Sequence, residues 1–398
     1  MAHVALMPFP AHGHVNPTLP VASALVRRGH RVTFPSTEEF TGAIAETGAT
    51  PLVYRSLLAG RDLPESFTTE YVAHEPLRCI DEGTLVTEQL KQKFAEDVPD
   101  LFVYDVSTFP TGRALAAVYG RPGLQMFPVF ASNERFSFGQ AQSAELTEPV
   151  RADHPAIVEF IGRTVRFLDE HGLSDMGIER FLRPCDDRNL AFLPKQFQLH
   201  ADDFDDRHTF VGPCLRPTPK ADSWLDESDD RPLVLISLGT TFNKNAEFFR
   251  RCAEAFAGLP WRVVITLGSG GVDPDELSDL TGVEVYRWAP HTVLLQRASV
   301  FVCHAGMGSM MEALSFGTPL VLVPPDVTEH RINARRAAEL GLGRVLPFDT
   351  MTPEDLRDAV LGVAADESIR GRVADMRRHA EDAGGPDRAA DALEAAMA

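Results

Sequence analysis

The order of apolar and polar positions predicts two successive runs of alternating strands and helices. In the first half, apolar segments short enough for buried strands occupy residues 3–7, 31–34, 100–105 and 190–192, and a further strand is expected just before residues 127–130. A helical pattern occupies residues 18–28. The second half repeats this order, with apolar segments at residues 233–238, 263–267, 283–286, 300–303 and 320–323. Because strands that alternate with helices form parallel sheets, we predict an α/β protein with two doubly wound sheets.

A segment rich in proline and aspartate, without periodicity, separates the two halves at residues 211–232. We interpret it as a linker between a first domain of residues 1–210 and a second domain of residues 233–375. Residues 376–398 are predicted to end the chain as a helix. A length of 398 residues agrees with two hydrophobic cores.

The most informative stretch is an apolar strand at residues 298–303 that leads through Gly306 and Gly308 into a helical pattern ending near Leu314. The N-terminus of such a helix offers unpaired N–H groups and the positive end of a dipole, which favour a phosphate. A glycine-rich turn can also serve only to pack a helix closely on a sheet, and the third glycine of the dinucleotide fingerprint is missing. Both interpretations remain open on this turn alone.

Neighbouring side chains favour a nucleotide at this turn. Trp288 can stack on a nucleobase, and Glu312 can accept two hydrogen bonds from a ribose diol. Glu329 and His330 follow the next apolar segment, so they too lie beyond the carboxyl end of a strand, where open α/β sheets bind ligands.

Composition excludes several other classes of protein. A net charge of −19 argues against a broad basic face for nucleic acid or anionic membrane. Five scattered cysteines without a C-x-x-C pair indicate reduced thiols rather than a disulfide framework or a zinc site. The N-terminus lacks the features of a signal peptide, and no apolar run approaches ~20 residues. We therefore expect a soluble, cytoplasmic protein with neither nucleic-acid nor membrane partners.

The first domain offers a candidate base and carboxylate. His12 lies in a loop after the first strand, and an imidazole with a pKa near ~6.5 suits proton removal from a hydroxyl. Asp105 ends a neighbouring strand and can fix the tautomer of that imidazole. The plain alternatives are a surface or capping histidine, and an aspartate that caps the helix beginning near Phe109. We assign His14 a structural role.

The chain resembles the family 1 glycosyltransferases of GT-B fold, and most of all the actinobacterial macrolide and antibiotic glycosyltransferases. The similarity covers most of the chain and includes the stretch at residues 288–330 and the segments at residues 11–17, 103–105 and 236–241. It implies two Rossmann-like domains that face a central cleft, with the last helix crossing back to the first domain. A homodimer is one assembly that it allows.

The resemblance also implies an inverting, metal-independent transfer of a sugar from a nucleotide diphosphate to a hydroxyl of a hydrophobic small molecule, such as a macrolide or another polyketide. UDP-glucose is the first choice of donor and a TDP-deoxysugar the second. His12 and Asp105 are then the catalytic residues, and no cofactor or metal is expected. The expected donor-binding residues are Thr240, Thr241, Trp288, His291, His304, Gly306, Gly308, Ser309, Glu312, Glu329 and His330. The expected acceptor pocket consists of Phe127, Phe130, Ser132 and Asn133.

Two departures from the family pattern leave the sugar open. His291 stands where members that use glucose commonly have Gln, and Glu329-His330 stands in place of Asp-Gln or Glu-Gln. A D-x-D sequence at residues 203–205 lies in an acidic, solvated run, and we do not interpret it as a metal site. The alternatives to a transferase are a nucleotide-sugar 2-epimerase of the same fold and a non-catalytic nucleotide-binding protein.

Overall fold

The computed structural model describes residues 1–61, 64, 66–218, 224, 229–240, 243–268 and 271–398, which form two compact units. The first unit comprises Met1–Arg216 and Ala383–Ala398, and the second comprises Pro217–Asp382. Each unit contains one parallel sheet, as the alternation of strands and helices predicts.

The first unit is built on seven strands, β1 (His3–Met7), β2 (Arg31–Ser36), β3 (Thr50–Val53), β4 (Leu101–Asp105), β5 (Gly123–Phe127), β6 (Asn189–Ala191) and β7 (His208–Phe210). Their order is β3-β2-β1-β4-β5-β6-β7. Strands β1 to β3 therefore extend toward one edge of the sheet and β4 to β7 toward the other, with the switch between β1 and β4. Met7 pairs with Tyr104 in this central pair of strands. The loops that follow β1 and β4 therefore emerge side by side, where open sheets bind ligands.

The helices that precede the second unit are α1 (His12–Arg27), α2 (Thr41–Glu46), α3 (Thr69–Ala73), α4 (Glu75–Phe94), α5 (Phe109–Val118), α6 (Phe138–Ala144), α7 (Pro155–Glu170) and α8 (Ile178–Phe181). Successive side chains of a strand point to opposite faces of a sheet. Accordingly, Val4 and Leu6 of β1 pack in the core that contains α1, whereas Ala5 and Met7 pack with α4 and α5.

Helix α1 begins six residues before the predicted position and includes Pro17 and Pro20. The sequence favoured a loop as far as Pro17 because proline is disfavoured beyond the first turn of a helix. In the structure the hydroxyl of Thr18 donates to the His14 carbonyl at 2.9 Å. The earlier start places the histidines of the His-Gly-His sequence on a helix rather than in a loop.

The second unit is built on six strands, β8 (Leu233–Ser237), β9 (Arg262–Thr266), β10 (Glu284–Tyr286), β11 (Ala298–Cys303), β12 (Leu320–Leu322) and β13 (Gly343–Val345), in the order β10-β9-β8-β11-β12-β13. Its helices are α9 (Ala246–Ala255), α10 (His291–Leu294), α11 (Met307–Ser315), α12 (Thr328–Glu339), α13 (Pro353–Ala365) and α14 (Glu367–Asp382). All pairs of neighbouring strands are parallel, so their carboxyl ends share one edge of the sheet.

The last helix, α15 (Gly385–Met397), belongs to the first unit and packs on α1. Leu393 lies in the same core cluster as the buried face of α1. Arg28 reaches across to the carboxylates of Asp391 and Glu394 at 2.7 and 2.9 Å. Apolar burial thus holds the helix, and surface ion pairs fix its register.

Three strands were not predicted, namely β3, β7 and β13. Each lies at the edge of a sheet and has only three or four residues, too few for a periodic pattern to emerge. The prediction that residues 190–192 form the last strand of the first domain was therefore wrong, because β7 follows. All five cysteines are free thiols. Within the described part of the chain, no helix is long and apolar enough to cross a bilayer.

Candidate functional site

A buried carboxylate at the end of β4 binds a histidine of α1. Asp105 is 1% exposed, and its Oδ2 accepts from His14 Nδ1 at 2.6 Å and from the Phe9 amide at 2.8 Å. Its Oδ1 accepts from the Ser107 amide at 2.6 Å. The two backbone donors fix the position of the carboxylate. Because a carboxylate can only accept a hydrogen bond, His14 must carry its proton on Nδ1, and the tautomer of the imidazole is fixed.

The predicted pairing of His12 with Asp105 was wrong. His12 Nε2 lies 3.2 Å from Glu39 Oε1, and both side chains are more than a third exposed. His12 is the first residue of α1 and His14 the third, so the two side chains project about 200° apart around the helix axis. Only one of them can face β4, and it is His14. The suggestion that Asp105 caps the following helix is also wrong, because the cap residue of α5 is Thr108.

In the second unit, the imidazole of His304 lies between two glycine backbones. A side chain at Gly239 would have its Cβ only 2.5 Å from His304 Cε1, and one at Gly306 would have it 2.4 Å from Nε2. Both positions therefore require glycine for close approach to the ring. His304 is 8% exposed, and its Nδ1 has no hydrogen-bond partner among the described residues. A bound ligand group or water would complete the hydrogen bonds of this buried atom.

The turn after His304 is held by a side chain that the sequence analysis missed. Ala305 has a φ of 66°, a left-handed conformation that costs a residue with a Cβ about 1–2 kcal/mol. Asn333 is fully buried in α12 and donates from Nδ2 to the Ala305 carbonyl at 3.0 Å. Gly306 then caps α11, whose first amides belong to Met307, Gly308 and Ser309. These amides have no acceptor within the helix, as an anion site requires.

Three histidines line the same edge of the sheet and are kept neutral by burial. Desolvation lowers the pKa of His291 and of His304 to about 4 in each case. Burial, and then the neighbouring His304, lower the pKa of His330 well below its ordinary value. The rings of His304 and His330 meet edge to face with centroids 4.8 Å apart, and His291 Nε2 lies 2.9 Å from the Thr266 hydroxyl. An anionic ligand that reaches these rings would favour their protonation.

The other predicted donor-binding residues follow the carboxyl ends of the same strands. Thr240 is exposed after β8, and Trp288 is 70% exposed after β10. Glu312 lies on α11, and Glu329 is in the first turn of α12. Thr241 lies outside the described residues. Three strand spacings separate β10 from β11, which places Trp288 roughly 14 Å from the amides of α11, a span that suits an extended nucleoside diphosphate.

Comparison with known proteins decides the family. Residues 254–396 match the C-terminal domain described as erythromycin biosynthesis protein CIII-like. The NDP-glycosyltransferase YjiC of Bacillus subtilis is 34% identical over 99% of this chain and 97% of its own length. The demethyllactenocin mycarosyltransferase of Streptomyces fradiae is 36% identical over 99% of this chain and 86% of its own. The crystal structure of CalG4, the calicheamicin glycosyltransferase, superposes with a TM-score of 0.87 at 36% identity and covers 100% of this chain and 98% of that one.

The chain belongs to the GT-B antibiotic and macrolide glycosyltransferases. The GT-B fold and the enzyme class predicted from the sequence are thereby confirmed.

In this glycosyltransferase, the four residues expected to line the acceptor pocket are packing and turn residues instead. Phe127 is fully buried in a core cluster, and Phe130 is stacked on Phe197 at 5.7 Å. The hydroxyl of Ser132 accepts from the Phe138 amide at 3.0 Å. Asn133 is 4% exposed, and its side chain closes a turn by accepting from two backbone amides and donating to the Asp203 carbonyl. The sequence placed these residues after a strand but could not show which way they point.

The D-x-D sequence of this glycosyltransferase takes part in local ion pairs. Asp203 faces Arg135, Asp205 pairs with Arg207 at 3.0 Å, and Phe204 between them is buried in the core. These ion pairs agree with the interpretation of the segment as an acidic, solvated stretch.

Proposed function

We propose that this glycosyltransferase transfers a sugar from a nucleoside diphosphate donor to a hydroxyl of a hydrophobic natural product, with inversion at the anomeric carbon. The observation that carries the proposal is the hydrogen bond of 2.6 Å between His14 Nδ1 and the buried carboxylate of Asp105. A neutral imidazole protonated at Nδ1 has its basic lone pair at Nε2, and this is the arrangement that a general base requires.

His14 Nε2 would take the proton of the acceptor hydroxyl while the hydroxyl oxygen attacks the anomeric carbon. The bond to the diphosphate breaks on the opposite face of the sugar, which inverts the configuration of that carbon. Asp105 stabilises the imidazolium formed in this step, because its negative charge lies directly against Nδ1. The two backbone amides that hold Asp105 keep the pair aligned without further reorganisation.

The second unit would hold the donor. We place the nucleobase on the exposed face of Trp288, the ribose at Glu312, and the diphosphate at His304 and the amides of Met307, Gly308 and Ser309. Thr240 would approach the phosphates from the β8 side, and His291, Glu329 and His330 would contact the sugar. Thr241 stays a predicted donor-binding residue. The charge that develops on the leaving diphosphate meets helix amides and a histidine, so the proposal does not require a metal ion.

UDP-glucose is the first donor that we propose and a TDP-deoxysugar the second. The name of the B. subtilis relative specifies only a nucleoside diphosphate donor, whereas the S. fradiae relative is named as a mycarosyltransferase. His291 and His330, which we propose to contact the sugar, stand where the resembling glucose-using enzymes commonly have amides, so this enzyme is expected to select among sugars differently from those members. The acceptor is proposed to be a macrolide or another polyketide with a free hydroxyl.

A crossed screen tests the proposal. UDP-glucose, UDP-galactose and a TDP-deoxysugar are each incubated with macrolide, polyketide and flavonoid acceptors, with and without EDTA, and products are detected by mass spectrometry. We expect a glycosylated acceptor whose NMR coupling constants show inversion, at a rate unchanged by EDTA.

Four results would contradict the proposal. Retention of configuration would exclude direct displacement, and loss of activity in EDTA would exclude a metal-independent reaction. Conversion of the donor to its 2-epimer without any acceptor would indicate an epimerase instead. Tight binding of UDP with neither transfer nor hydrolysis would indicate a non-catalytic nucleotide-binding protein.

A further inference from the structure

A small cavity lies beside Asp105, between the sheet of the first unit and the helices α4 and α5. Its volume is about 10 Å³, which admits roughly one water molecule or one ammonium group. Ser107 and Thr108, two and three residues after Asp105, form part of its wall. The remaining wall is mainly apolar and comes from β1, β2, α4, α5 and the segment after β3, with Met7, Pro8, Pro35, Val86, Leu90 and Pro110.

One carboxyl group faces this apolar space. Glu82 lies on the buried face of α4 and is only 5% exposed. Its Oε2 accepts from the Leu57 amide at 2.6 Å, whereas its Oε1 is buried without a hydrogen-bond partner among the described residues. A buried carboxylate with an unsatisfied oxygen is costly, and a water, an ion or a ligand group in the cavity would complete its hydrogen bonds.

The cavity is also electrostatically negative. Burial, then the charges of Glu82 and Asp105, raise the pKa of the Tyr54 phenol, so this side chain stays protonated. The pKa of the Cys79 thiol is raised to about 12 by burial and by nearby carboxylates that include the same two residues. Both groups line the cavity, and neither carries a positive charge. Among the described residues, no cationic side chain forms an ion pair with Glu82.

We propose that Glu82 binds a primary ammonium group of the acceptor through Oε1, at the inner end of the acceptor site. The inference rests on the proposed function, in which His14 deprotonates the acceptor hydroxyl. The cavity lies near that base, because Ser107 lines the cavity and also donates its amide to Asp105, the partner of His14. An ammonium group fits a space of one water molecule, donates to the unsatisfied oxygen and neutralises the buried charge. The cavity has room for the ammonium group alone, so the hydrocarbon body that carries the amine would lie outside it.

The test compares three acceptors that differ in one group, a naphthol that carries an aminomethyl substituent and its hydroxymethyl and ethyl analogues. For the wild type we expect the kcat/KM of the aminomethyl compound to exceed that of the ethyl compound by about 10- to 100-fold, the contribution of one charge-assisted hydrogen bond. In Glu82→Gln this preference should fall to near unity, because the amide is uncharged but retains an oxygen for the Leu57 amide. Glu88→Gln, an exposed position of the same helix, should keep the wild-type preference.

Calorimetric binding of the same three compounds gives a second readout that does not depend on turnover. A wild-type preference below about twofold, or a preference that survives in Glu82→Gln, would overturn the assignment of Glu82. An equal loss of kcat/KM in Glu82→Gln for the aminomethyl and hydroxymethyl compounds would also overturn it, since the site would then recognise any hydrogen-bond donor. If the aminomethyl compound bound selectively but no sugar were ever transferred, the assignment of Glu82 would stand and the proposed transferase function would fail.

Discussion

Replacement of Asp105 by asparagine removes the charge beside His14 with little change of shape. In the wild type, Oδ2 accepts from both the Phe9 amide and His14 Nδ1, and Oδ1 accepts from the Ser107 amide. An asparagine has one oxygen and one NH2 group for these three donors. If the NH2 group faces His14, it donates to Nδ1 and forces the proton onto Nε2, the atom that must accept the proton of the substrate.

The magnitude follows from this change of tautomer. A positioned general base contributes about 100- to 10,000-fold to the rate, and we expect Asp105→Asn to lose most of that factor in kcat. The same change leaves one backbone amide facing an NH2 group, at a cost of about 1–3 kcal/mol in the free energy of unfolding. The Kd for UDP should not change, because the donor is proposed to bind the second unit.

Initial rates by mass spectrometry, a UDP titration and thermal unfolding measure these three quantities. Glu39→Gln is the matched control, because it removes the carboxylate that lies 3.2 Å from His12. We expect this control to keep kcat within about threefold of the wild type, since the rate factor of a general base belongs to His14. A kcat for Asp105→Asn above a tenth of the wild-type value, or a larger loss for Glu39→Gln than for Asp105→Asn, would refute the reasoning.

Two further predictions concern the second unit. Burial lowers the pKa of His304 to about 4, so between about pH 6.5 and pH 4 the unfolded chain binds a proton that the folded chain does not. The free energy of unfolding should therefore fall by about 3 kcal/mol as the pH drops through that window. In denaturant titrations at several pH values, the free energy of unfolding of His304→Asn should depend less steeply on pH than that of the wild type. Equal pH dependence of the two proteins would contradict this. Gly306→Ala would place a Cβ 2.4 Å from His304 Nε2, so we expect the affinity for UDP to fall at least about tenfold by calorimetry. Gly371→Ala, whose Cβ would meet open space, is the control, and equal affinities of the two variants would contradict the placement of the diphosphate.

The sequence predicts the fold and the donor-binding edge well, because both depend on local patterns. Apolar segments located the central strands, and the two glycines after β11 located the N-terminus of α11. Edge strands of three or four residues carry no such pattern, and β3, β7 and β13 were missed for that reason. The buried Asn333 was also missed, since its role depends on the left-handed conformation of Ala305, which the sequence does not show.

The candidate base was misassigned because the sequence gives two histidines in similar positions. Which of them meets Asp105 depends on where α1 begins, and Pro17 suggested a loop where the structure has a helix. A helix that starts at His12 places His14 on the face toward β4. If this segment is assumed to be a loop, the sequence does not show which histidine faces β4. Glu82 did leave a signal, since it is an acidic residue at an apolar position of the amphipathic helix α4.

The central claim is that the imidazole bonded to Asp105 removes the acceptor proton. Its most direct test is the rate of sugar transfer by His14→Ala and by His12→Ala, each at saturating donor and with UDP binding checked in parallel. We predict a loss of at least about 100-fold for His14→Ala, and a rate for His12→Ala within about tenfold of the wild type, with UDP bound normally by both. Transfer by His14→Ala at the wild-type rate, or a greater loss in His12→Ala, would contradict the account.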